Sequence, residues 1–255
     1  MPTISVIIIT KNESQNIADC IKSAAFANEI LVLDSGSNDG TVQIAEKLGA
    51  QVVQTDWPGF GAQKNKAINY ASGDWILSLD ADERVSDTLT KEILQAIHES
   101  KFKVFDIPKS SLYVSKFMKH SGWSPDRTKR LFKKGSAYFS ENKIHESLQT
   151  SNPIGHLNEP LIHYSFRDFE TVLKKVNQYS SLSAEQFLLY KKKSSLKKAI
   201  FHGLWAFFRT YFLRAGFLDG REGFMLAVSN AEGVYYRYLK LMLLQQKNHT
   251  NLVGR

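Results

Sequence analysis

Cysteine is nearly absent from this chain of 255 residues: Cys20 is its single one, so no disulfide can form within the chain. The first four residues, Met-Pro-Thr-Ile, lack the basic and then apolar segments of a secretory signal. Apolar runs of about 20 residues, the length that crosses a bilayer, are missing too. Even the aromatic-rich segment 199–217 is interrupted by His202, Arg209 and Arg214. We therefore expect a reducing, cytoplasmic location and no membrane-spanning segment.

The sequence also lacks the Gly-x-Gly-x-x-Gly turn of a dinucleotide site. Thr-Lys-Asn-Glu follows the first apolar run at 10–13 instead. A dinucleotide-dependent oxidoreductase is therefore disfavoured. A sugar nucleotidyltransferase would also bind a nucleotide, but it normally needs a glycine-rich, basic loop directly after the first strand. Residues 11–14, which occupy that place, contain no glycine.

Hydrophobic residues make up 43% of the chain and charged residues 23%, which indicates a folded globular protein. The net charge of +8 conceals two opposite parts. Residues 1–100 carry 7 Lys and Arg against 14 Asp and Glu, a balance of −7, while residues 101–255 carry 26 against 11, a balance of +15. The basic part predicts an anionic partner, such as nucleic acid, a phosphorylated glycan or an acidic membrane surface. A solvated surface without a partner is the alternative.

The first hundred residues repeat an apolar run, a polar turn and a segment of helical period. Runs without strict alternation are typical of strands buried on both faces, so a largely parallel sheet flanked by helices is expected. The predicted strands are 4–9, 29–34, 51–53 and 75–79, and the predicted helices are 16–26, 41–48 and 62–71.

Beyond residue 100 the pattern becomes short extended pieces, and from about residue 166 it is helical. We predict an α/β domain over 1–165, in which residues 1–100 and 101–165 form two parts, and a helical C-terminal extension over 166–255. The aromatic stripe at 199–217 is typical of a packed helix, but the lysines before it also allow a helix that associates with a membrane surface.

Acidic and polar residues follow several predicted strands, at the edge where open parallel sheets bind ligands. Asp34 ends the second strand, and Asp80-Ala81-Asp82 follows the run 75–79. Residues i and i+2 of an extended segment project to one side, so the carboxylates of Asp80 and Asp82 can converge on a hard divalent cation shared with substrate phosphates. Such a cation would neutralise a diphosphate leaving group.

Four motifs occur in order along this part of the chain: Thr-Lys-Asn-Glu (10–13), Asp-Ser-Gly-Ser-Asn-Asp-Gly-Thr (34–41), Gly-Ala-Gln-Lys-Asn-Lys-Ala (61–67) and Leu-Asp-Ala-Asp-Glu (79–83). Together they resemble the inverting family 2 glycosyltransferases of GT-A fold. The resemblance implies a mixed sheet flanked by helices, a UDP-sugar donor and a divalent cofactor, Mg²⁺ or Mn²⁺.

The resemblance also implies that residues 1–100 are the nucleotide-sugar half and residues 101–165 the acceptor half of the domain, with a donor site in the first half. Asp34 would accept a hydrogen bond from the uracil ring, Asp80 would face the ribose or nucleotide, and Asp82 would bind the metal with the diphosphate. Lys64 stands where many members have Arg, so it would supply a point charge and not a bidentate fork. The full implied nucleotide-sugar set is Thr10, Asn12, Glu13, Asp34, Ser35, Asp39, Lys64, Asn65, Asp80 and Ala81.

Three further segments extend the likeness over nearly the whole chain: 123–132, 143–146 and 212–220. They are similar to bacterial lipopolysaccharide inner-core β-1,4-glucosyltransferases. That similarity implies transfer of a hexose, with UDP-glucose the favoured donor, to a heptose of the lipid A core at the cytoplasmic face of the inner membrane. A phosphorylated lipid A core is polyanionic, as the basic C-terminal part predicts, and no nucleic-acid partner is expected.

An inverting transfer needs a base within hydrogen-bond reach of the acceptor hydroxyl. Glu146 is our candidate, since it follows a short extended segment and the basic loop expected to hold the acceptor. A surface glutamate paired with a lysine is the alternative interpretation of Glu146, and Asp126 is the next candidate base.

The acceptor side is predicted to use Trp123, Arg127, Arg130 and His145. The arginines would clasp a phosphate or sugar acid, and Trp123 would stack on a sugar ring; solvated and packed roles are the alternatives. His145 is either a third metal ligand or a structural histidine. The segment Gly59-Phe60-Gly61 is predicted to be a loop able to close over the nucleotide. A non-catalytic module that binds membrane surfaces would explain the C-terminal part but not the acidic strand ends.

Overall fold

A computed structural model describes residues 2–99, 101–140 and 146–253, with side chains described up to residue 247. The chain divides into two compact units. The first comprises Met1–Ser110 and Asp126–Tyr164, and the second Ser111–Pro125 and Ser165–Arg255. The sequence prediction put segment Ser111–Pro125 in the first domain, whereas in the structure this segment lies in the helical unit.

Strands and helices alternate up to β4, as expected from the sequence pattern, and the short β5 then precedes α4. The strands are β1 (Ile4–Thr10), β2 (Glu29–Asp34), β3 (Gln51–Gln54), β4 (Trp75–Asp80), β5 (Glu83–Arg84), β6 (Val104–Tyr113), β7 (Lys116–Phe117), β8 (Asp126–Lys133), β9 (Tyr138–Phe139), β10 (Leu148–Gln149), β11 (Ile154–His156) and β12 (Leu161–Phe166). The α-helices are α1 (Ile17–Ser23), α2 (Thr41–Lys47), α3 (Phe60–Tyr70), α4 (Asp87–Glu99), α5 (Phe169–Leu189), α6 (Leu196–Phe208) and α7 (Arg221–Val253).

The first unit is built on a mixed sheet. Strands β3, β2, β1 and β4 lie side by side in that order and run parallel. Strand β8 joins β4 in antiparallel orientation, and β6 joins β8. Strand β12 pairs antiparallel with the short β5 and places His163 opposite Glu83. The predicted α/β class with a mixed sheet is confirmed, with the parallel part formed by the first hundred residues.

Strand β1 shows why its apolar residues do not alternate strictly with polar ones. All seven of its residues are buried, and its apolar residues are divided between two cores. Ile4, Val6 and Ile8 pack with α1 and α4 on one face, while Ile7 and Ile9 pack with α3 on the other. A strand covered by helices on both faces has no solvent side that needs polar residues.

Two helix boundaries differ from the sequence prediction. Helix α1 is confined to Ile17–Ser23, and α3 begins at Phe60, two residues earlier than expected. Gly59 precedes α3 with a φ of 117°, a conformation that glycine adopts readily. The prediction of a loop at Gly59-Phe60-Gly61 able to close over a nucleotide is therefore wrong, because Phe60 and Gly61 form the first turn of α3.

The second unit is mainly helical. Asp168 caps α5 by accepting a hydrogen bond from the Thr171 amide at 2.6 Å, and Ser195 caps α6 in the same way. A π-helical turn over Arg209–Leu213 and a 3₁₀ turn over Gly216–Asp219 connect α6 to α7. Within the residues described, none of the helices combines the length and apolarity that a membrane span requires.

Segment Ser111–Pro125 is held in this unit by a buried carboxylate. Asp219, 1% exposed, accepts hydrogen bonds from the backbone amides of Lys119 and His120 at 3.1 and 2.9 Å and from the Ser121 hydroxyl at 3.1 Å. The His120 Nδ1 lies 3.3 Å from the same carboxylate. Burial would raise the pKa of Asp219, but these hydrogen bonds outweigh it and hold the pKa below its ordinary value.

Candidate functional site

The sheet brings two of the predicted acidic residues to one edge. In the register of β1 with its neighbours, Thr10 lies opposite Asp34 of β2, and Ile9 lies opposite Asp80 of β4. Because the three strands run parallel, both carboxylates stand at their carboxyl ends, on either side of β1. This is the edge at which open α/β sheets bind ligands.

Asp34 organises the turn that follows β2. Its Oδ1 accepts hydrogen bonds from the Gly36 and Ser37 amides at 3.0 and 2.8 Å, and its Oδ2 accepts from the hydroxyls of Thr10, at 3.1 Å, and Ser37. The side chain is 1% exposed. Four donors already serve this carboxylate, so recognition of the base by Asp34 stays a prediction, and shaping of the turn is what the structure shows.

The loops after β1 and β2 are joined to each other. Asn12 has a φ of 57°. Its backbone amide donates a hydrogen bond to Ser37 Oγ at 2.7 Å, and its side-chain Oδ1 accepts one from the Asn38 backbone amide at 3.0 Å. The Glu13 amide donates to Thr41 Oγ1 at 2.8 Å. The predicted nucleoside-binding residues Asn12 and Glu13 therefore contribute to one interconnected rim.

Asp39 extends that rim to the start of α2. It accepts hydrogen bonds from the Ser14 amide at 3.0 Å and from both the amide and the hydroxyl of Thr41. The Thr41 hydroxyl is the main cause of a pKa of Asp39 well below its ordinary value. An ionised Asp39 at this helix start complements the partial positive charge of the helix N-terminus.

Gln63 of α3 is a rim residue that sequence reasoning missed. It is fully buried, and its Nε2 donates to Ser35 Oγ at 3.0 Å and to Thr55 Oγ1 at 2.6 Å. It thus links the loops that follow β2 and β3. Its Oε1 is buried without a hydrogen-bond partner among the described residues. The family-like motif at 61–67 contains Gln63 and was the signal available for it.

Asp80 lies between two cations. Its Oδ2 is 2.5 Å from Arg130 Nη2, and its Oδ1 is 3.1 Å from Lys64 Nζ. Burial would raise the pKa of Asp80, but Arg130 and then Lys64 outweigh it and hold the pKa well below its ordinary range. Asp80 is therefore an anion whose charge is balanced by protein groups.

Arg130 lies close to two carboxylates. Its side chain is 3% exposed, and its Nη2 contacts Glu83 Oε1 at 2.7 Å as well as Asp80. Glu83 is itself fully buried and also lies 3.6 Å from Lys109 Nζ. Acceptor contact by Arg130 stays a prediction; what the structure shows is a guanidinium paired with two carboxylates, which supports the Asp-x-Asp segment from inside.

Lys64 connects the donor-side carboxylate to the candidate base. Its Nζ lies 3.0 Å from Glu146 Oε1 and 3.1 Å from Asp80 Oδ1, and the side chain is 3% exposed. Glu146 retains 20% exposure. Glu146, the predicted base, therefore lies at the same sheet edge as the Asp-x-Asp segment, although the two are far apart in the sequence.

Asp82 has a histidine neighbour that the sequence analysis did not identify. The Nε2 of His163 lies 3.4 Å from Asp82 Oδ2, and the two side chains are 21% and 23% exposed. The Tyr164 amide donates to the Asp82 carbonyl at 2.9 Å, which fixes this approach through the backbone. The signal was hidden because the two-residue strand β5, which pairs with His163, has no recognisable pattern.

This pair fits a divalent cation. Among the described residues there is no cluster of three His, Cys, Asp or Glu able to hold a metal. Magnesium and manganese sites in phosphate-handling enzymes commonly use one or two protein ligands, the remainder being phosphate oxygens and water. One carboxylate and one imidazole at 3.4 Å, both reachable from solvent, meet that requirement.

Two further predicted donor-site residues have structural partners. The Asn65 side-chain amide donates to the Phe139 carbonyl and accepts from the Phe139 amide, both at 2.8 Å, and so ties β9 to α3. Ala81 is buried, and its carbonyl accepts a hydrogen bond from Arg84 Nη1 at 2.8 Å. Donor contacts of Asn65 and Ala81 stay predictions.

The other residues predicted for the acceptor side have the following surroundings. Arg127 pairs with Asp106 through Nε at 2.7 Å. Asp126, the alternative base, is exposed at the start of β8. Trp123 belongs to the second unit, where its ring packs against those of Tyr113 and Phe166 at 5.7 and 5.8 Å. His145 lies outside the described residues.

The comparison with protein families matches residues 5–149 to the model described as "Glycosyl transferase family 2". The chain belongs to glycosyl transferase family 2. This stretch contains the acidic sheet edge, Lys64, Arg130 and Glu146. The enzymatic prediction is thereby confirmed, and the non-catalytic module is disfavoured.

Relatives match the transferase over nearly its full length. The "Uncharacterized glycosyltransferase" of Rickettsia felis is 34% identical over 264 residues, which cover 97% of this chain and 93% of the relative. The lipopolysaccharide core biosynthesis glycosyltransferase LpsC of Rhizobium meliloti is 26% identical over 96% of this chain and 93% of LpsC.

Among solved structures, glucosyl-3-phosphoglycerate synthase of Mycobacterium tuberculosis, in complex with Mn²⁺, UDP and glucosyl-3-phosphoglycerate, aligns with 27% identity and a TM-score of 0.37. That alignment covers 44% of each chain.

Proposed function

We propose that the transferase moves a hexose, with glucose the favoured sugar, from a UDP-sugar to a heptose of the lipopolysaccharide inner core, with inversion at the anomeric carbon. The observation that carries this proposal is the position of Lys64, whose Nζ is within 3.1 Å of both Asp80 and Glu146. A carboxylate of the donor edge and a partly exposed carboxylate suited to act as a base thus stand around one cation.

On the donor side, the rim formed by Asn12, Glu13, Asp34 and Asp39 surrounds the place where the family resemblance puts the nucleoside. Hydrogen bonds preorganise this rim, so little ordering is needed when the donor binds. The Lys64 ammonium lies at the inner end of the edge, where it can attract the diphosphate.

Asp82 and His163 are the residues that would hold Mg²⁺ or Mn²⁺. When bound, the cation would stabilise the negative charge that develops on the departing UDP. Carboxylate oxygens suit both Mg²⁺ and Mn²⁺, so Asp82 would be the primary ligand, and His163 would be a further ligand or would orient Asp82.

On the acceptor side, Glu146 accepts the proton of the heptose hydroxyl. The hydroxyl oxygen forms the new bond to the anomeric carbon, the bond from that carbon to the diphosphate oxygen breaks, and UDP leaves with its electron pair. Lys64 holds the Glu146 carboxylate in one orientation, which supports in-line alignment of the reacting atoms.

The acceptor class rests on two supports. LpsC, a relative along almost the whole chain, is named for lipopolysaccharide core biosynthesis. Residues 101–255 carry a net charge of +15, which favours a polyanionic acceptor such as phosphorylated lipid A core and needs no nucleic acid. Such an acceptor places the enzyme at the cytoplasmic face of the inner membrane. Another lipid-linked or cell-surface glycan is the alternative acceptor.

The test is UDP release from UDP-glucose, UDP-galactose and UDP-N-acetylhexosamines, with and without Mn²⁺, on core-truncated lipopolysaccharide. We expect release with UDP-glucose that requires both acceptor and cation, and a product one hexose heavier by mass spectrometry. Transfer only to a different glycan would change the proposed acceptor and leave the proposed reaction unchanged. Formation of UTP and a sugar 1-phosphate when pyrophosphate is supplied with the UDP-sugar, without UDP release, would identify a sugar nucleotidyltransferase and overturn the proposal.

A further inference from the structure

Helix α6 buries its small residues. Ala199, Gly203 and Ala206 form its buried face. At Gly203 the helix approaches α7 so closely that an added Cβ would lie 3.2 Å from Tyr235 Cβ and 3.4 Å from the Ala231 carbonyl oxygen. Close approach of two helix backbones at small residues leaves no room for large side chains on that face.

The large apolar side chains of α6 consequently point away from the core. Phe201, Leu204, Trp205, Phe208 and, in the following π turn, Phe212 are 66%, 68%, 47%, 44% and 50% exposed. We call these five residues the aromatic face. A helix in water normally shows the opposite arrangement, with its large apolar residues buried.

The aromatic face is continuous. The rings of Trp205 and Phe208 stack with centroids 5.8 Å apart, and those of Phe208 and Phe212 lie 5.2 Å apart. Leu213 beyond them is also exposed. Contiguous apolar surface of this kind marks a site of interaction with another molecule or with a membrane.

The segment that contains the aromatic face carries charges of one sign only. Segment 191–218 contains no Asp or Glu. Its basic residues are Lys191, Lys192, Lys193, Lys197, Lys198, Arg209 and Arg214. Long basic side chains flanking aromatic ones are the composition of helices that lie in the headgroup region of anionic bilayers.

We propose that the aromatic face is the surface by which this protein docks on a bilayer containing anionic lipids, with Trp205 and Phe208 inserted among the headgroups. Self-association through this face would bring together two copies of a segment that has seven basic and no acidic residues, and like-charge repulsion disfavours a second copy as the occupant. The proposal is independent of which sugar is transferred and to which acceptor.

The test is co-sedimentation of the full chain with vesicles of phosphatidylcholine and phosphatidylglycerol (7:3) and of phosphatidylcholine alone. We expect binding to the anionic vesicles that weakens as salt is raised, and about tenfold or greater loss of partitioning in the double variant Trp205→Ser/Phe208→Ser. The matched control Tyr179→Ser/Leu182→Ser, which removes exposed apolar side chains from α5, should bind as the parent does. Circular dichroism and UDP release on a lipid-free acceptor should be unchanged in the first variant.

Insertion is measured separately with brominated phosphatidylcholine in the same vesicles. Trp205→Phe should keep vesicle binding but lose the quenched part of the tryptophan emission. Absence of vesicle binding by the parent, or equal binding by the Ser variant, overturns the proposal. The proposal is also overturned if the parent is a dimer in the absence of lipid and the Ser variant is a monomer.

Discussion

The ammonium of Lys64 lies 3.0 Å from the carboxylate of Glu146, although 82 positions separate the two residues in the chain. Lys64 is on α3, and Glu146 precedes β10. Both side chains are at least four-fifths shielded from solvent, so their interaction is screened less by salt than a surface ion pair. This pair, joined to Asp80, is the centre of the proposed site.

Replacing Lys64 by Met should lower kcat/KM for transfer by about 100-fold or more, because the diphosphate loses a charge and Glu146 loses its fixed orientation. Lys64→Arg should recover part of that loss. Steady-state kinetics with UDP-glucose and truncated lipopolysaccharide measures both. Lys66→Met, which removes a more exposed lysine of the same helix, is the control, and an equal loss in that variant would contradict a specific role for Lys64.

Replacing Glu146 by Gln should leave UDP binding intact and reduce transfer by about 10² to 10⁴-fold, the usual contribution of a general base. Calorimetric titration with UDP and the transfer assay separate binding from chemistry. Asp126→Asn, at the alternative base, should keep most activity. Full activity of Glu146→Gln would move the base elsewhere.

Replacing Asp82 by Ala should abolish turnover without unfolding the protein, since the side chain is partly exposed. His163→Gln should raise the Mn²⁺ concentration needed for half-maximal activity by about 10-fold or more, in line with the loss of one metal ligand or its orienting partner. Titration of activity with Mn²⁺ checks this. A metal dependence unchanged by His163→Gln would remove His163 from the site.

Replacing Arg130 by Met should destabilise the first unit by about 3 kcal/mol or more, because Asp80 and Glu83 would keep their charges without the buried partner. Urea unfolding monitored by circular dichroism measures the change. Arg127→Met, at a more exposed pair, should cost about 1 kcal/mol or less. A similar small effect at Arg130 would show that its buried pairs do not support the Asp-x-Asp segment.

Replacing Asp219 by Asn should cost about 2 kcal/mol of unfolding free energy at neutral pH, because an amide offers one acceptor oxygen where the carboxylate offers two. The pKa of Asp219 is lowered in the folded protein, so its contribution is complete above the ordinary value of 3.8 and is lost as the pH falls through the folded pKa. The difference between parent and variant should therefore shrink below about pH 4. Glu170→Gln, at an exposed carboxylate, controls for the loss of one charge; a pH-independent difference would exclude ionised Asp219 as the clamp.

Local patterns in the sequence were enough to predict the parallel part of the sheet. An apolar run such as β1 predicts a strand covered on both faces, and polar residues directly after such runs predict a ligand-binding edge. The family-like motifs added the nucleotide side of the site. What the pattern did not show was the burial of Arg130 with Asp80 and Glu83, since the residues next to a charged side chain do not tell whether a strand exposes it or carries it into the core.

The sequence by itself determined the family, the strand order of the first hundred residues along the chain and the acidic edge, because these depend on short-range periodicity and on motifs of adjacent residues. Only the tertiary structure decided the partners across that edge: Arg130 with Asp80 and Glu83, Lys64 with Glu146, and Asp82 with His163. Strands β8 and β12 deliver two of these partners by antiparallel pairing, and the register of such pairing is set by packing between residues far apart in the chain. For the same reason the exposed aromatic face became visible only once α6 was seen to bury its small residues against α7.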